Sequence, residues 1–106
     1  MKFIIVSLTV AGLLIAGNVM AVDMPADGKS KCGACHKIDK KSVGPSWNDI
    51  AAKYKGQADA ENTLIANITK GGKFGWAQSP MPARGMGATD TQIAALAKFI
   101  AIDLNQ

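Results

Sequence analysis

Cys32-Gly33-Ala34-Cys35-His36 is the stretch on which the reading of this chain turns. Two thiols three positions apart on a helical turn can each add to a vinyl group on one porphyrin edge. The adjacent side chain is then held where its imidazole reaches the metal. The spacing C-x-x-C-H is the attachment signature of c-type haem. Two other chemistries use paired cysteines. A thioredoxin-like disulfide sits at a strand end in a βαβ context, and no convincing strand run occurs in the 106 residues. A closed zinc site takes four ligands, mostly Cys and His, and the chain holds two Cys and one His in total, all inside this stretch. The expectation is one haem c, covalently attached through Cys32 and Cys35, with His36 on the iron.

His36 is the only histidine, so a bis-histidine haem within the chain is excluded. The methionines are the remaining soft donors. Met1 and Met20 fall in a segment that reads as removable, and Met24 is too near Cys32 in sequence to reach the other haem face. Met81 and Met86 remain. Met81 is clamped as Ser79-Pro80-Met81-Pro82, where two prolines restrict the backbone and lower the entropy of presenting the sulfur. Met81 is therefore the expected second axial ligand. Met86 lies between Gly85 and Gly87 and reads as a filler of a core gap, with ligation as its alternative.

Upstream, Lys2 precedes an apolar run from Phe3 to Ala16, and Val19-Met20-Ala21 has the small residues of a signal-peptidase site. The run is shorter than the roughly 20 apolar residues of a bilayer span. Residues 1–21 are read as a signal peptide that is removed, and 22–106 as one domain with no membrane anchor. Removing 21 of 106 residues leaves 85, with 11 of the 12 Lys and Arg against 8 acids. That excess is too weak to argue for nucleic acid, and no basic patch interleaved with aromatics occurs. A chain this short buries only about 60 to 65% of its unfolded surface and is marginal on its apolar core alone. A covalently held cofactor supplies what the core lacks.

The pattern predicts an all-α domain of about four helices around one covalently attached haem. The first should run from about Pro25 into Lys37 and carry both cysteines. Ser46 to Asp49 resembles a capping box, followed by Trp47, Ile50, Ala51 and Tyr54 at helical spacing, with Gly56 as the stop. Asp59 is placed as the cap of a third helix with Ala60, Leu64, Ile65 and Ile68 on one face, ended by Gly71-Gly72. Thr89 to Gln92 is a second capping box, leading into Ile93, Leu96, Ala97, Ile100 and Leu104. Between them lies the 18-residue stretch Gly71 to Ala88, too rich in Gly and Pro for regular structure. A connection that long is normally functional.

Beyond the C-x-x-C-H stretch, the chain carries Val43-Gly44-Pro45, Ile50-Ala51-Ala52-Lys53-Tyr54, Gly75-Trp76, Pro80-Met81-Pro82 and Leu96-Ala97-Lys98-Phe99. With these motifs it resembles a small bacterial class I cytochrome c of the c-551 or c-552 type. The resemblance implies a cytochrome c-like domain in which Pro45 offers its carbonyl to the second ring nitrogen of His36. It also implies that Trp76 packs on the haem and donates its N–H to a propionate. Two positions depart from the pattern: Arg84 stands where relatives often carry an amide near the methionine sulfur, and Asn67 where many place an arginine near the buried propionate. The loop from Met81 to the last helix is also longer, through Gly85-Met86-Gly87.

The function expected is that of a periplasmic electron carrier, a monomer that cycles between ferric and ferrous haem c. It passes single electrons between redox protein partners, from a donor cytochrome or membrane complex to an acceptor reductase or oxidase. Thioether ligation and burial both favour the reduced state, because the ferric haem carries the net charge that a low dielectric disfavours. Lys29, Lys31, Lys37, Lys40 and Lys41 surround the cysteines in sequence and suit acidic docking surfaces on the partners. A ligand-binding haem sensor with a labile Met81 is the alternative class. Enzymatic chemistry finds little here, with no second histidine, no nucleophile–base pair and one glutamate, Glu61.

Overall fold

Alternation of buried and exposed positions at helical spacing organises the chain into four short helices. The computed structural model describes residues 24–106, with Gly12 alone before them, so the expected signal peptide and its cleavage point lie outside the described residues. The helices are α1 (Ala26–Cys32), α2 (Trp47–Tyr54), α3 (Ala60–Lys70) and α4 (Asp90–Ala101), and a single 3₁₀ turn, Asp103–Asn105, follows. Among the described residues the only β pairing is an isolated antiparallel bridge between Gly72 and Met81.

Helix α4 is the centre of the packing and touches α1, α2 and α3. Its Ile93, Leu96, Ala97, Phe99 and Ile100 are buried together with Trp47, Ile50, Ala51 and Tyr54 of α2 and Ala60, Leu64 and Ile68 of α3. All but Phe99 are residues that the spacing placed on the inner faces, and Ile65, expected on the same face of α3, is only half-buried. Leu104, the last of the α4 stripe, lies beyond the helix, in the 3₁₀ turn, and is only half-buried. Next to it, Asn105 Nδ2 donates to the Ala51 carbonyl at 3.0 Å, tying the C-terminus back to α2.

The helix starts differ in how they are closed. Thr89 makes the full capping box: its hydroxyl accepts from Gln92 N, and Gln92 Oε1 accepts from Thr89 N. Ser46 Oγ accepts from Asp49 N at 3.0 Å. Asp59 does not cap α3 through its side chain, because its carboxylate instead accepts from the side chain of Asn62 at 2.8 Å. Thr89→Ala should therefore cost about 1 kcal/mol, while Asp59→Ala should change stability by a few tenths at most. Chemical denaturation of the two variants side by side reads the difference.

Helix α1 is shorter than its sequence suggested, ending at Cys32 rather than near Lys37. Gly33 N donates to Lys29 O, and Cys35 N and His36 N then both donate to the Cys32 carbonyl, at 3.1 and 3.0 Å. One carbonyl taking both donors winds the chain into a tight turn and ends the regular ladder. Cys35 and His36 therefore leave α1 on a turn.

Candidate functional site

Three segments meet around one apolar cleft: the turn after α1, the loop Ser42 to Ser46 that leads into α2, and the long connection between α3 and α4. The open space of the cleft, counting its solvent-open mouth, is about 770 Å³. Cys35, His36, Pro45, Trp47, Trp76 and Met81 all line it. Cys32 joins Cys35, His36 and Met81 in a smaller adjoining hollow. The structure thus gathers all six sequence-derived site residues, though they span 50 positions from Cys32 to Met81.

His36 is held from two sides. Its Nδ1–H donates to the Pro45 carbonyl at 2.7 Å. A carbonyl can only accept, so the proton sits on Nδ1 and the lone pair on Nε2. Burial pushes the imidazole below its ordinary pKa, partly offset by the Pro45 bond, which keeps the ring neutral and able to bind a metal. The Trp47 ring lies 4.6 Å away between centroids, tilted by 32°. Gly44 also approaches the ring, and a Cβ there would stand 2.5 Å from His36 Cε1 and 2.9 Å from Nδ1. Only a residue without a side chain lets the backbone pass so close to the ring.

Cys32 and Cys35 are not joined to each other in a disulfide, so both sulfurs are available for thioether attachment. Burial, and then the neighbouring Cys35, push the Cys32 thiol above its ordinary pKa.

Met81 is placed by its backbone. Gly72 and Met81 exchange two hydrogen bonds, Gly72 N to Met81 O and Met81 N to Gly72 O, each 2.9 Å. Gly71 makes room for this bridge, since a Cβ there would lie 2.6 Å from both the Met81 carbonyl and Ala83 N. The glycine pair that ends α3 therefore also seats the methionine loop. Met86 is not a core filler: it is 63% exposed. Its N–H is bound to the Lys31 carbonyl at 3.0 Å, and with positive φ at Gly85 and Gly87 the side chain is turned to solvent.

Trp76 is half-buried against the core, and the ammonium of Lys53 lies 4.7 Å from its ring centroid. The same ammonium donates to the Phe74 carbonyl, where Phe74 holds a left-handed φ of 54°. Nothing local in the sequence marks Lys53 for this role, because its partners lie 20 or more positions away. Asn67 Nδ2 donates to the Tyr54 hydroxyl at 3.0 Å, and both residues line the cleft. The Arg84 guanidinium reaches the Ala88 carbonyl and Asp90.

Two cysteine sulfurs, an imidazole with Nε2 available and a thioether, all around one apolar cleft, fit a covalently held haem. Comparison with known proteins supplies the family. The Cytochrome c family model matches residues 26–101. The chain belongs to the cytochrome c family. It is 39% identical over 99 residues to a cytochrome c-551 of Pseudomonas aeruginosa, covering 92% of this chain and 93% of the relative. It is 40% identical over 99 residues to a cytochrome c-552 of Hydrogenobacter thermophilus, covering 93% and 94%. The crystal structure of wild-type Nitrosomonas europaea cytochrome c552 superposes with a TM-score of 0.65 at 39% identity, over 72% of this chain and 94% of that one. As a cytochrome c this chain carries one covalent haem c, with Cys32 and Cys35 in the C-x-x-C-H arrangement ending at His36, and is a haem c electron carrier.

Proposed function

We propose that the mature protein, residues 22–106 after removal of a signal peptide at 1–21, is a monomeric periplasmic electron shuttle in which His36 and Met81 are the two axial ligands. The observation that carries this reading is that the neutral imidazole and the thioether line the same apolar cleft. When bound, the haem supplies a one-electron ferric/ferrous couple. The protein's part is to hold both donors, so that the redox change needs no exchange of ligand. Apolar walls exclude water and favour the state without net charge on the haem. Pro45 fixes the imidazole and raises its basicity, and the Trp76 indole N–H is offered to a propionate.

Lys29, Lys37, Lys40 and Lys41 are exposed beside the cysteine turn. They support docking of partners with acidic surfaces, a donor cytochrome or membrane complex on one side and an acceptor reductase or oxidase on the other. Among the described residues no helix is long and apolar enough to cross a membrane.

The test is an optical spectrum of the exported protein and of Met81→Ala. The ferric wild type should show the weak near-red charge-transfer band of methionine–iron ligation, and its ferrous form should not bind carbon monoxide at neutral pH. Met81→Ala should lose the band and bind carbon monoxide. A ferrous wild type that takes up carbon monoxide readily would replace the shuttle with a ligand-binding haem protein.

A further inference from the structure

Arg84 is the one non-glycine residue with a left-handed φ, 59°, between Met81 and α4. For a residue with a Cβ that conformation costs on the order of 1 kcal/mol or more and persists only where the surroundings impose it. Its surroundings do so from both directions. Arg84 N donates to the Ile68 carbonyl in the last turn of α3 at 2.8 Å, and its own carbonyl accepts from Gly87 N at 3.2 Å and Ala88 N at 2.9 Å. Its guanidinium donates to the Ala88 carbonyl at 3.3 Å and pairs with Asp90 Oδ1 at 2.7 Å. One residue thus ties the methionine loop to the end of α3 and to the first turn of α4.

We propose that Arg84 is a positioning residue whose side chain latches the segment from Met81 to Ala88 and so limits how readily Met81 leaves the iron; this rests on the reading of Met81 as axial ligand. Upstream, the Gly72–Met81 bridge fixes the sulfur's backbone. Downstream, Gly85 and Gly87 also have positive φ, so the segment has little stiffness of its own. Apart from the latch, backbone hydrogen bonds hold it: Arg84 N to Ile68 O, Gly87 N and Ala88 N to Arg84 O, Met86 N to Lys31 O, and Gly85 N to Pro82 O. Releasing Met81 requires the loop to open locally while α3 and α4 stay folded, and such openings are governed by the few bonds they break. Global unfolding breaks the same contacts, and because Asp90 is 86% and Arg84 41% exposed at the side chain they contribute modestly to either process. What marks the latch is an effect on ligand release that an equal loss of stability elsewhere in the fold does not produce.

The experiment measures the limiting rate at which imidazole displaces Met81 from the ferric holoprotein, alongside chemical denaturation. Arg84→Ala should speed displacement roughly two- to fivefold, the factor that about 0.4 to 1 kcal/mol represents, whereas Asn105→Ala, which gives up the hydrogen bond to Ala51 far from the loop at a similar cost in global stability, should leave the rate at the wild-type value. Arg84→Gly, which also relieves the backbone strain of the closed loop, should accelerate displacement less than Arg84→Ala, and so should Asp90→Asn. Arg84→Lys should stay within about twofold of wild type. A wild-type rate in Arg84→Ala overturns the latch, as does an equal acceleration in Asn105→Ala. Failure of the underlying reading is distinct: the wild type would lack the methionine–iron band and bind imidazole as fast as Met81→Ala.

Discussion

Replacing both Cys32 and Cys35 by alanine should yield a chain from which acidified organic solvent extracts all the haem and whose remaining polypeptide is largely unfolded by circular dichroism. The first outcome follows from bond type, because thioether-linked haem resists that extraction. The second follows from the core. Trp47, Ile50, Tyr54, Leu64, Ile68 and Ile100 are buried residues that also line the cleft. Their remaining faces border the cleft, and each Å² of apolar wall left to water costs about 25 cal/mol. A small domain has a net stability of only about 5 to 15 kcal/mol, so bared walls together with the lost covalent staple should unfold much of it. Each single replacement leaves one thioether and should fall between the double variant and wild type. A double variant that kept helical content after extraction would show the cleft to be dispensable for folding.

Gly44→Ala should be a strongly damaging single-methyl change, and one that acts on the haem site itself. The new Cβ meets three atoms of the His36 ring at 2.5, 2.9 and 3.1 Å, and neither side can retreat cheaply. Gly44 N is bound to Cys35 O at 2.8 Å, and its own carbonyl accepts from Ser42 N at 3.0 Å. The ring is held by Pro45 at 2.7 Å. Relief requires the imidazole to tilt, stretching or breaking that hydrogen bond. Overpacking costs about 1 to 3 kcal/mol, and the lost hydrogen bond about 1 more. Holoprotein yield and denaturation midpoint should fall together, with a shift in the haem spectrum as the imidazole reorients. Gly56→Ala is the control: Gly56 has a positive φ of 80°, which Gly44 does not, but a Cβ there meets nothing within 4 Å, so it should cost only the backbone strain and leave the spectrum unchanged. A Gly44→Ala protein indistinguishable from Gly56→Ala would refute the close approach to His36.

These two expectations come from different levels of description. The Cys32/Cys35 result is legible in the sequence, because thiol spacing and the adjacent histidine are local facts. So are the buried faces of α2, α3 and α4, since period and capping residues act within a few positions of one another. Met81 was singled out on equally local grounds, its two flanking prolines.

Sequence reasoning failed where one group had to choose among partners. The hydroxyl of Thr89 and the carboxylate of Asp59 look equally fit to cap, but Asp59 is taken up by Asn62. Helix α1 was expected to carry His36, yet a shared Cys32 carbonyl winds the chain into a turn first. Met86 was assigned to the core on its apolar side chain, but a hydrogen bond to Lys31 turns it to solvent. These outcomes depend on competition between near-equal local options, and tertiary contacts settle it.

By itself, then, the sequence determined the covalent chemistry, the helical periodicity and the candidate donors, because each is written in residues a few positions apart. Tertiary structure alone decided that Gly44 must be bare beside His36, that Gly71 and Gly72 seat Met81, and that Lys53 and Arg84 hold the long connection. Those are contacts between segments distant in the chain or turned by unusual backbone angles, and their energies exist only once the segments have been packed together.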